Sequence, residues 1–322
     1  MSSPRPILIL AFPRAQLLDV SGPLQVFASV NELALERGRP APYVPRIVAA
    51  DAGPVETSSG VAVVADSLRS AARGIDTLIV AGGKGVHAAS RDARLVRWVR
   101  RQADRARRVA SVCTGAFLLA EAGLLDGRRA VTHWTRCDEL AARYPKVRVE
   151  ADPIFIREGA LWTSAGVTAG IDLALALVEE DLGRAVALDV ARELVVFLKR
   201  PGGQAQFSAM LSMQRTDDRF GELHAWIAEH LSADLSVPAL AERARMSERS
   251  FVRHYRASTG RTPARAVEQI RVEAAQRLLG ETGWPVKRIA ARCGFGSEET
   301  LRRSFVRVLG VSPQEYRERF VR

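Results

Sequence analysis

Leu240-Ala-Glu-Arg-Ala-Arg-Met-Ser247, followed by Phe251, Tyr255, Gly260 and Pro263, has a second copy further along the chain. That copy reads Ile289-Ala-Ala-Arg-Cys-Gly-Phe-Gly296, followed by Leu301, Phe305, Gly310 and Pro313. With one extra residue in the second turn, Ser247-Glu248 aligns with Ser297-Glu298, Phe251 with Leu301 and Arg253 with Arg303. In each copy apolar residues recur at helical spacing on both sides of a short turn, so each reads helix, turn, helix. Ser247 and Ser297 stand where N-caps of the second helices belong. In a helix-turn-helix the second helix enters the major groove with its N-terminal residues at the base edges. The duplication therefore implies a chain that reads duplex DNA in two adjacent major-groove segments. A long helix from about Ala264 to Leu279 would hold the two units apart.

The base-facing positions expected on this reading are Ser247, Glu248, Arg249, Arg253 and Arg256 in the first unit. In the second they are Ser297, Glu298, Glu299, Thr300, Arg302 and Arg303. Arginine can bond guanine in bidentate fashion and glutamate can accept from cytosine N4. Arg256 and Arg307 suit phosphate contacts equally well, which position a protein without reading sequence. For any one of these residues the alternative is a solvated helix face.

Charge agrees with a polyanionic partner. The 322 residues carry a net charge of +11. From Arg215 onward there are 20 Lys+Arg against 14 Asp+Glu, so the C-terminal third holds more positive charge per residue than the rest. A membrane partner is not expected. No apolar run approaches the roughly 20 residues a spanning helix needs, and the run Ile7–Phe12 is cut by Pro13 and Arg14. Three cysteines without paired spacing argue against a disulfide framework or a cysteine zinc site. A reducing, cytoplasmic setting is the expectation. No histidine pattern has metal spacing, Gly82-Gly83-Lys84-Gly85 is too short for a phosphate cradle, and His87 reads as a loop residue. Neither metal nor cofactor is expected.

Upstream, short apolar segments alternate with helical patterns. Ile7–Phe12, Ile47–Ala50, Ile75–Ala81, Val109–Cys113 and Ala130–His133 read as strands. Pro23–Glu36, Ala93–Ala106, Ala116–Ala122 and Thr135–Tyr144 read as helices. A hairpin follows around Glu158-Gly159, then helices Thr168–Glu180 and Gly183–Leu198. The expected fold is a flavodoxin-like α/β domain, a mostly parallel sheet with helices on both faces, joined to an all-α domain. Boundaries fall at about 5–198 for the α/β domain, 199–220 for a linker marked by Pro201-Gly-Gly203, and 221–319 for the helical domain. The helix-turn-helix units span about 238–260 and 287–310.

The α/β domain has one chemically suggestive constellation. Cys113 ends an apolar strand and is followed by Thr114-Gly115 and a helix. A helix N-terminus lowers a thiol pKa, so an available thiolate is expected in the geometry of a nucleophile elbow. Gly82-Gly83 would present backbone N–H groups to an anion or oxyanion. Asp19 would hydrogen-bond the thiol or a polar ligand, and His133 would serve as base or donor. The plainer alternatives are a buried small hydrophobe for Cys113 and a core imidazole for His133. Cys137 and Cys293 read as buried and inert.

Two resemblances are carried by these residues. The run Ile289-Ala-x-x-Cys-Gly-Phe-x-Ser297, then Phe305, Gly310 and Ser312-Pro313-x-x-Tyr316-Arg317, resembles the signature of the AraC/XylS family of transcriptional regulators over about Gly221 to Arg319. The stretch Ile7 to Leu198 is similar to the ThiJ/PfpI branch of the class I glutamine-amidotransferase-like superfamily. It does so through Leu18-Asp-Val-x-Gly-Pro-Leu-x-Val-Phe27, Ala81-Gly-Gly83, Cys113-Thr-Gly-Ala116, Ala122-Gly-Leu-Leu-x-Gly127, Thr132-His-Trp134 and Thr163-Ser-Ala-Gly166. The domain order, with Arg200-Pro-Gly-Gly-Gln204 between, resembles the GlxA-type regulators. The resemblance implies a small-molecule effector bound near Asp19, Gly82, Gly83, Cys113, Thr114 and His133. It also implies a homodimer and RNA polymerase as a partner, with activation commoner than repression. In the isonitrile hydratases of the same superfamily a Cys-Thr pair and an upstream acidic residue form the site; Cys113, Thr114 and Asp19 fall on them. A cysteine-dependent hydratase or amidase, or a redox sensor through Cys113, is the competing implication. Many regulators of this type lack the cysteine, and their upstream domain is usually taken as a sensor.

Overall fold

The computed structural model describes residues 3–70, 74–198, 204, 218–309 and 311–320. Most of the expected linker, and Gly310, lie outside the described residues. The chain divides into two compact units, Met1–Arg200 and Pro201–Arg322.

The first unit is built on ten strands: β1 Arg5–Leu10, β2 Tyr43–Ala49, β3 Gly53–Glu56, β4 Ala62–Ser67, β5 Thr77–Val80, β6 Arg108–Ser111, β7 Arg129–Ala130, β8 Arg148–Val149, β9 Phe155–Glu158 and β10 Leu161–Ser164. Eight of them form one sheet in the order β3-β4-β2-β1-β5-β6-β10-β9. Pairing is parallel from β4 through β10, while β3 and β9 add antiparallel edges. The central strands explain this. Every residue of β5 and β6 is buried, as is Ile7–Leu10 of β1, so these strands need cover on both faces.

Helices supply that cover in two groups. α1 Leu17–Glu36 packs with α6 Ala169–Leu182 and α7 Arg184–Glu193, whereas α2 Val86–Arg91, α3 Ala93–Ala103 and α4 Gly115–Glu121 pack together. A short helix, α5 Cys137–Arg143, follows the 3-10 turn Trp134–Arg136. Chain order reverses direction across the sheet between β1 and β5, because β2 lies on one side of β1 and β5 on the other. In such sheets the carboxyl ends of the strands flanking this point form the binding crevice.

The sequence reading is corrected at several places. Helix α1 begins at Leu17, with Pro23 inside it rather than at its start. Proline is favoured in a first turn, which suggested the wrong boundary; here its missing N–H falls on the carbonyl of Asp19. Of the segment Ala130–His133 only Ala130 is in a strand, as the last residue of β7, which pairs with β8 outside the main sheet. Strands β3 and β4 were not anticipated, since half of β4 faces solvent and lacks a buried run. His87 lies on α2, not in a loop. Helix α7 stops at Glu193, and Val195 follows with φ 54°.

The second unit is helical: α8 Asp218–Glu229, α9 Val237–Arg243, α10 Glu248–Thr259, α11 Pro263–Glu281, α12 Val286–Arg292, α13 Glu298–Leu309 and α14 Pro313–Phe320. Two small cores share α11. Ala266, Val267 and Ile270 pack with Leu240, Phe251 and Tyr255 of the first helix-turn-helix. Further along, Val272, Ala275 and Leu279 pack with Ile289, Leu301 and Phe305 of the second.

Candidate ligand site and nucleic-acid interface

The ends of β1, β5 and β6 bring Asp19, Gly82, Gly83, Cys113 and Thr114 together. Cys113 leaves the sheet with φ 55°, a left-handed conformation that costs a non-glycine residue about 1–2 kcal/mol. Hydrogen bonds hold it there. Its N–H donates to the carbonyls of Ser164 and Ala165 at 3.2 and 3.0 Å, and Thr132 Oγ1 donates to its carbonyl at 2.8 Å. Backbone strain of this kind concentrates at functional sites.

Asp19, in the first turn of α1, is wholly buried. Its Oδ2 accepts the Gly82 N–H at 3.0 Å. Burial pushes its pKa up to about 7, opposed first by the Gly82 hydrogen bond and then by the Cys113 thiol. A side chain at residue 82 has no room: a Cβ there would stand 2.5 Å from Thr114 N and 2.8 Å from Asp19 Oδ2. Gly83, at φ 135°, donates its N–H to Thr114 Oγ1 at 2.8 Å. The two glycine N–H groups are thus committed to Asp19 and Thr114, and neither is free to face an anion as the sequence suggested. Their part is to fix the carboxyl and the hydroxyl.

The expected thiolate is also corrected. Burial, then the Asp19 charge, push the Cys113 thiol up to about 12, against weaker help from the Val167 and Thr114 hydrogen bonds. Helix α4 begins one residue beyond Thr114 and is only seven residues long. Its dipole does not outweigh a dry site that already contains a carboxyl group.

His133 makes its hydrogen bonds within its own turn. Its Nδ1 is bonded to Thr135 Oγ1 at 2.8 Å and accepts the Thr135 N–H at 3.3 Å, and its ring packs on Gly166, where a Cβ would clash at 2.3 Å. Burial, then Arg136, lower its pKa, which favours the neutral imidazole. Its ring hydrogen bonds go to Thr135 rather than to Cys113 or Asp19. Val167 was missed by the sequence reading: at φ 44° it brings its N–H to the Cys113 sulfur. The adjoining Thr163-Ser-Ala-Gly166 motif was the available signal.

In the second unit the two recognition helices start as expected. Ser247 Oγ accepts the Ser250 N–H at 3.4 Å, and Ser297 Oγ the Thr300 N–H at 3.1 Å. Every proposed base-facing residue from Glu248 to Arg256 and from Glu298 to Arg303 is exposed. The helices differ in how their charges are disposed. Arg249, Arg253 and Arg256 form no ion pair among the described residues, and together with Val237, Val252 and Ala257 they line an open depression. On α13, Glu299 accepts from Arg302 at 2.7 and 2.8 Å and pairs with Arg303 at 3.4 Å. Arg307 is tied to Glu268 and Ser304 instead of projecting freely. No group of acidic, cysteine and histidine residues able to hold a metal occurs among the described residues, and no helix there is long and apolar enough to cross a membrane.

A buried Asp–Cys–Thr cluster at the strand ends of an α/β sheet, carried on one chain with two helix-turn-helix units, defines a DNA-binding regulator with an α/β domain upstream of its DNA-reading domain. Comparison with known proteins agrees. The DJ-1/PfpI family model matches residues 5–180 and a helix-turn-helix domain model matches residues 240–319. The chain belongs to the DJ-1/PfpI family, and its function is that of an HTH-type transcriptional regulator. The HTH-type transcriptional regulator CdhR of Pseudomonas aeruginosa is 32% identical over 277 residues, 84% of this chain and 80% of that protein. GlxA of Rhizobium meliloti, also an HTH-type transcriptional regulator, is 28% identical over 94% of this chain and 92% of its own length, which places the domain order among the GlxA-type regulators. An isonitrile hydratase of Pseudomonas putida is 38% identical over 177 residues, 54% of this chain and 71% of that enzyme, and the likeness covers only the N-terminal domain.

Proposed function

We propose that the α/β domain binds a small polar molecule at Asp19, Cys113 and Thr114, and that this binding controls how α10 and α13 engage two adjacent major-groove segments of an operator. One observation carries the reading: the thiol of Cys113 is held protonated beside a carboxyl group of pKa about 7, so the resting pocket offers hydrogen bonds rather than a nucleophile. A ligand with one donor and one acceptor can satisfy Asp19 and Thr114 together. Arginines on α10 supply the electrostatic grip, and Glu298, Glu299 and Thr300 with Arg302 and Arg303 supply a differently composed reading head. The regulator works as a homodimer in the cytoplasm and acts on RNA polymerase at the promoter. Footprinting with the full-length chain tests the DNA part: two protected major-groove segments on one face are expected, and a single segment refutes it. Calorimetric titration with small amides, amines and isonitriles tests the pocket; the expected heat disappears in Asp19→Ala.

A second reading has its own observation. Asp19, buried with Cys113, is a carboxyl group whose pKa is raised to about 7, where it can exchange a proton with a substrate. Turnover of isonitriles, amides or glyoxals that is lost in Cys113→Ala would establish it. Ligand-dependent transcription that persists in that variant would show the thiol dispensable for sensing.

A further inference from the structure

Helix α11 joins the two DNA-reading units, and two of its side chains tie them together beyond the helix itself. Glu268 lies among Ala266, Val267 and Ile270, which pack into the first core. Its carboxylate nevertheless accepts from Ser304 Oγ at 2.7 Å and pairs with Arg307, both on the second recognition helix α13. Its own helix supplies Arg265, at 2.7 Å, as a third partner. About one turn later Arg271 donates from Nε and Nη2 to the carbonyl of Leu231, at 3.1 and 2.8 Å. Leu231 follows α8 and packs on the first core. Gly294, in the turn of the second unit, sits against the same carbonyl. A Cβ at Gly294 would stand 1.8 Å from Leu231 O and 2.9 Å from Arg271 Nε, and φ there is +75°.

Apolar packing along α11 is non-directional and leaves rolling of α13 weakly opposed. Charge-assisted hydrogen bonds to a half-buried carboxylate fix direction as well as distance. We propose that Glu268 and Arg271 are positioning residues that set the phase between α10 and α13, and so restrict the chain to operators with one spacing between the two segments. The inference rests on the two-unit reading above. It gives Arg307 a task other than phosphate contact: its guanidinium is the far end of the Glu268 brace. One inserted base pair rotates the second segment by about 34° and moves it by about 3.4 Å, which a fixed pair of helices cannot follow.

The experiment uses the full-length protein and a duplex selected by it from a random library. Derivatives lacking one base pair, or carrying one or two more, between the protected segments are compared by gel shift and by salt titration. Wild type should prefer one spacing by about tenfold or more. Glu268→Ala should reduce that preference to about threefold or less. Where Glu268→Ala lowers the helical melting transition, Ser304→Ala and Arg307→Ala remove the other ends of the same brace. Arg307→Ala should flatten the spacing preference with the same salt slope. A slope reduced by about 1 would make Arg307 a phosphate contact and overturn the assignment. A two-segment footprint with unchanged spacing preference in the variants overturns the brace alone; a one-segment footprint of wild type overturns the two-unit reading and the brace with it.

Discussion

Asp19 and Cys113 are buried in the same site, and after burial the Asp19 carboxylate is the largest influence that pushes the thiol up to about 12. Two acids share one dry space, and only one negative charge is tolerated near neutral pH. That charge resides on Asp19, whose pKa is about 7, and not on sulfur. Replacing Asp19 with Asn keeps the hydrogen-bond acceptor for Gly82 and removes the charge. The Cys113 pKa should fall, and its alkylation by iodoacetamide at pH 8.5 should quicken by about threefold or more. Peptide mass spectrometry separates Cys113 from Cys137 and Cys293. An unaltered rate would mean that burial alone controls the thiol.

The same carboxyl predicts how stability depends on pH. Asp19 is raised from 3.8 to about 7 in the folded domain. Between these values the folded state binds the extra proton, so this group's contribution is fully present below about pH 4 and is lost as pH rises through 7. The whole change is on the order of 4 kcal/mol. Thermal melts of wild type and Asp19→Asn should therefore diverge between pH 4 and 7, wild type losing stability relative to the variant as pH rises. Parallel profiles would remove Asp19 as the titrating group.

Recognition helices with different charge partners should respond differently to salt. Arg249 and Arg253 make no ion pair among the described residues, whereas Glu299 already engages Arg302 and Arg303. Arg249→Ala should lower the salt slope of operator binding by about 1 if the residue meets a phosphate. Arg253→Ala should instead change base preference. Glu299→Ala frees two guanidinium groups and should steepen the slope by about 1–2 while weakening sequence discrimination. A shallower slope in that variant would show that Glu299 does not compete with DNA.

The duplicated helices were legible because their cores follow a 3.6-residue period and because serine caps mark their starts. Ser247 and Ser297 do accept the N–H groups three residues on. The buried cluster was legible as a set of residues, since Asp19, the glycine pair and Cys113-Thr114 each end a strand or begin a helix. Its chemistry was not. Whether a glycine N–H is free depends on what lies opposite it, and Gly82 and Gly83 face Asp19 and Thr114. The thiol pKa depends on a carboxyl brought 94 residues along the chain by the sheet, which no local pattern contains. The crossed contacts of Glu268 were hidden for the same reason, being made to residues 36 and 39 positions away.

At the opposite end of the sheet, Asp181 closes a buried ion cluster that none of the sequence motifs marked. Its carboxylate pairs with Arg108, receives Arg107 at 2.7 Å, and accepts from Tyr43 at 3.0 Å. The side chains of Arg108 and Asp181 are 2% and 1% exposed, so neither charge can fall back on water if its partner goes. Glu180, at 3.0 Å, is the remaining acid beside Arg108 and is itself shared with Arg157. Asp181→Ala should therefore cost the α/β domain about 3–5 kcal/mol. Arg107→Ala removes a guanidinium whose side chain is 43% exposed and should cost about 1 kcal/mol or less. Calorimetry of the full chain reads this as a fall in the α/β melting transition with the helical unit's transition unmoved. The double variant Arg108→Met with Asp181→Leu takes both charges out of the core and should lose less stability than Asp181→Ala alone. A double variant that is worse than the single would mean that the cluster stabilises through its hydrogen bonds, those of Asp181 to Tyr43 and Arg107 and the one Arg108 Nε donates to Thr77 Oγ1 at 2.9 Å, and not through avoidance of a stranded charge.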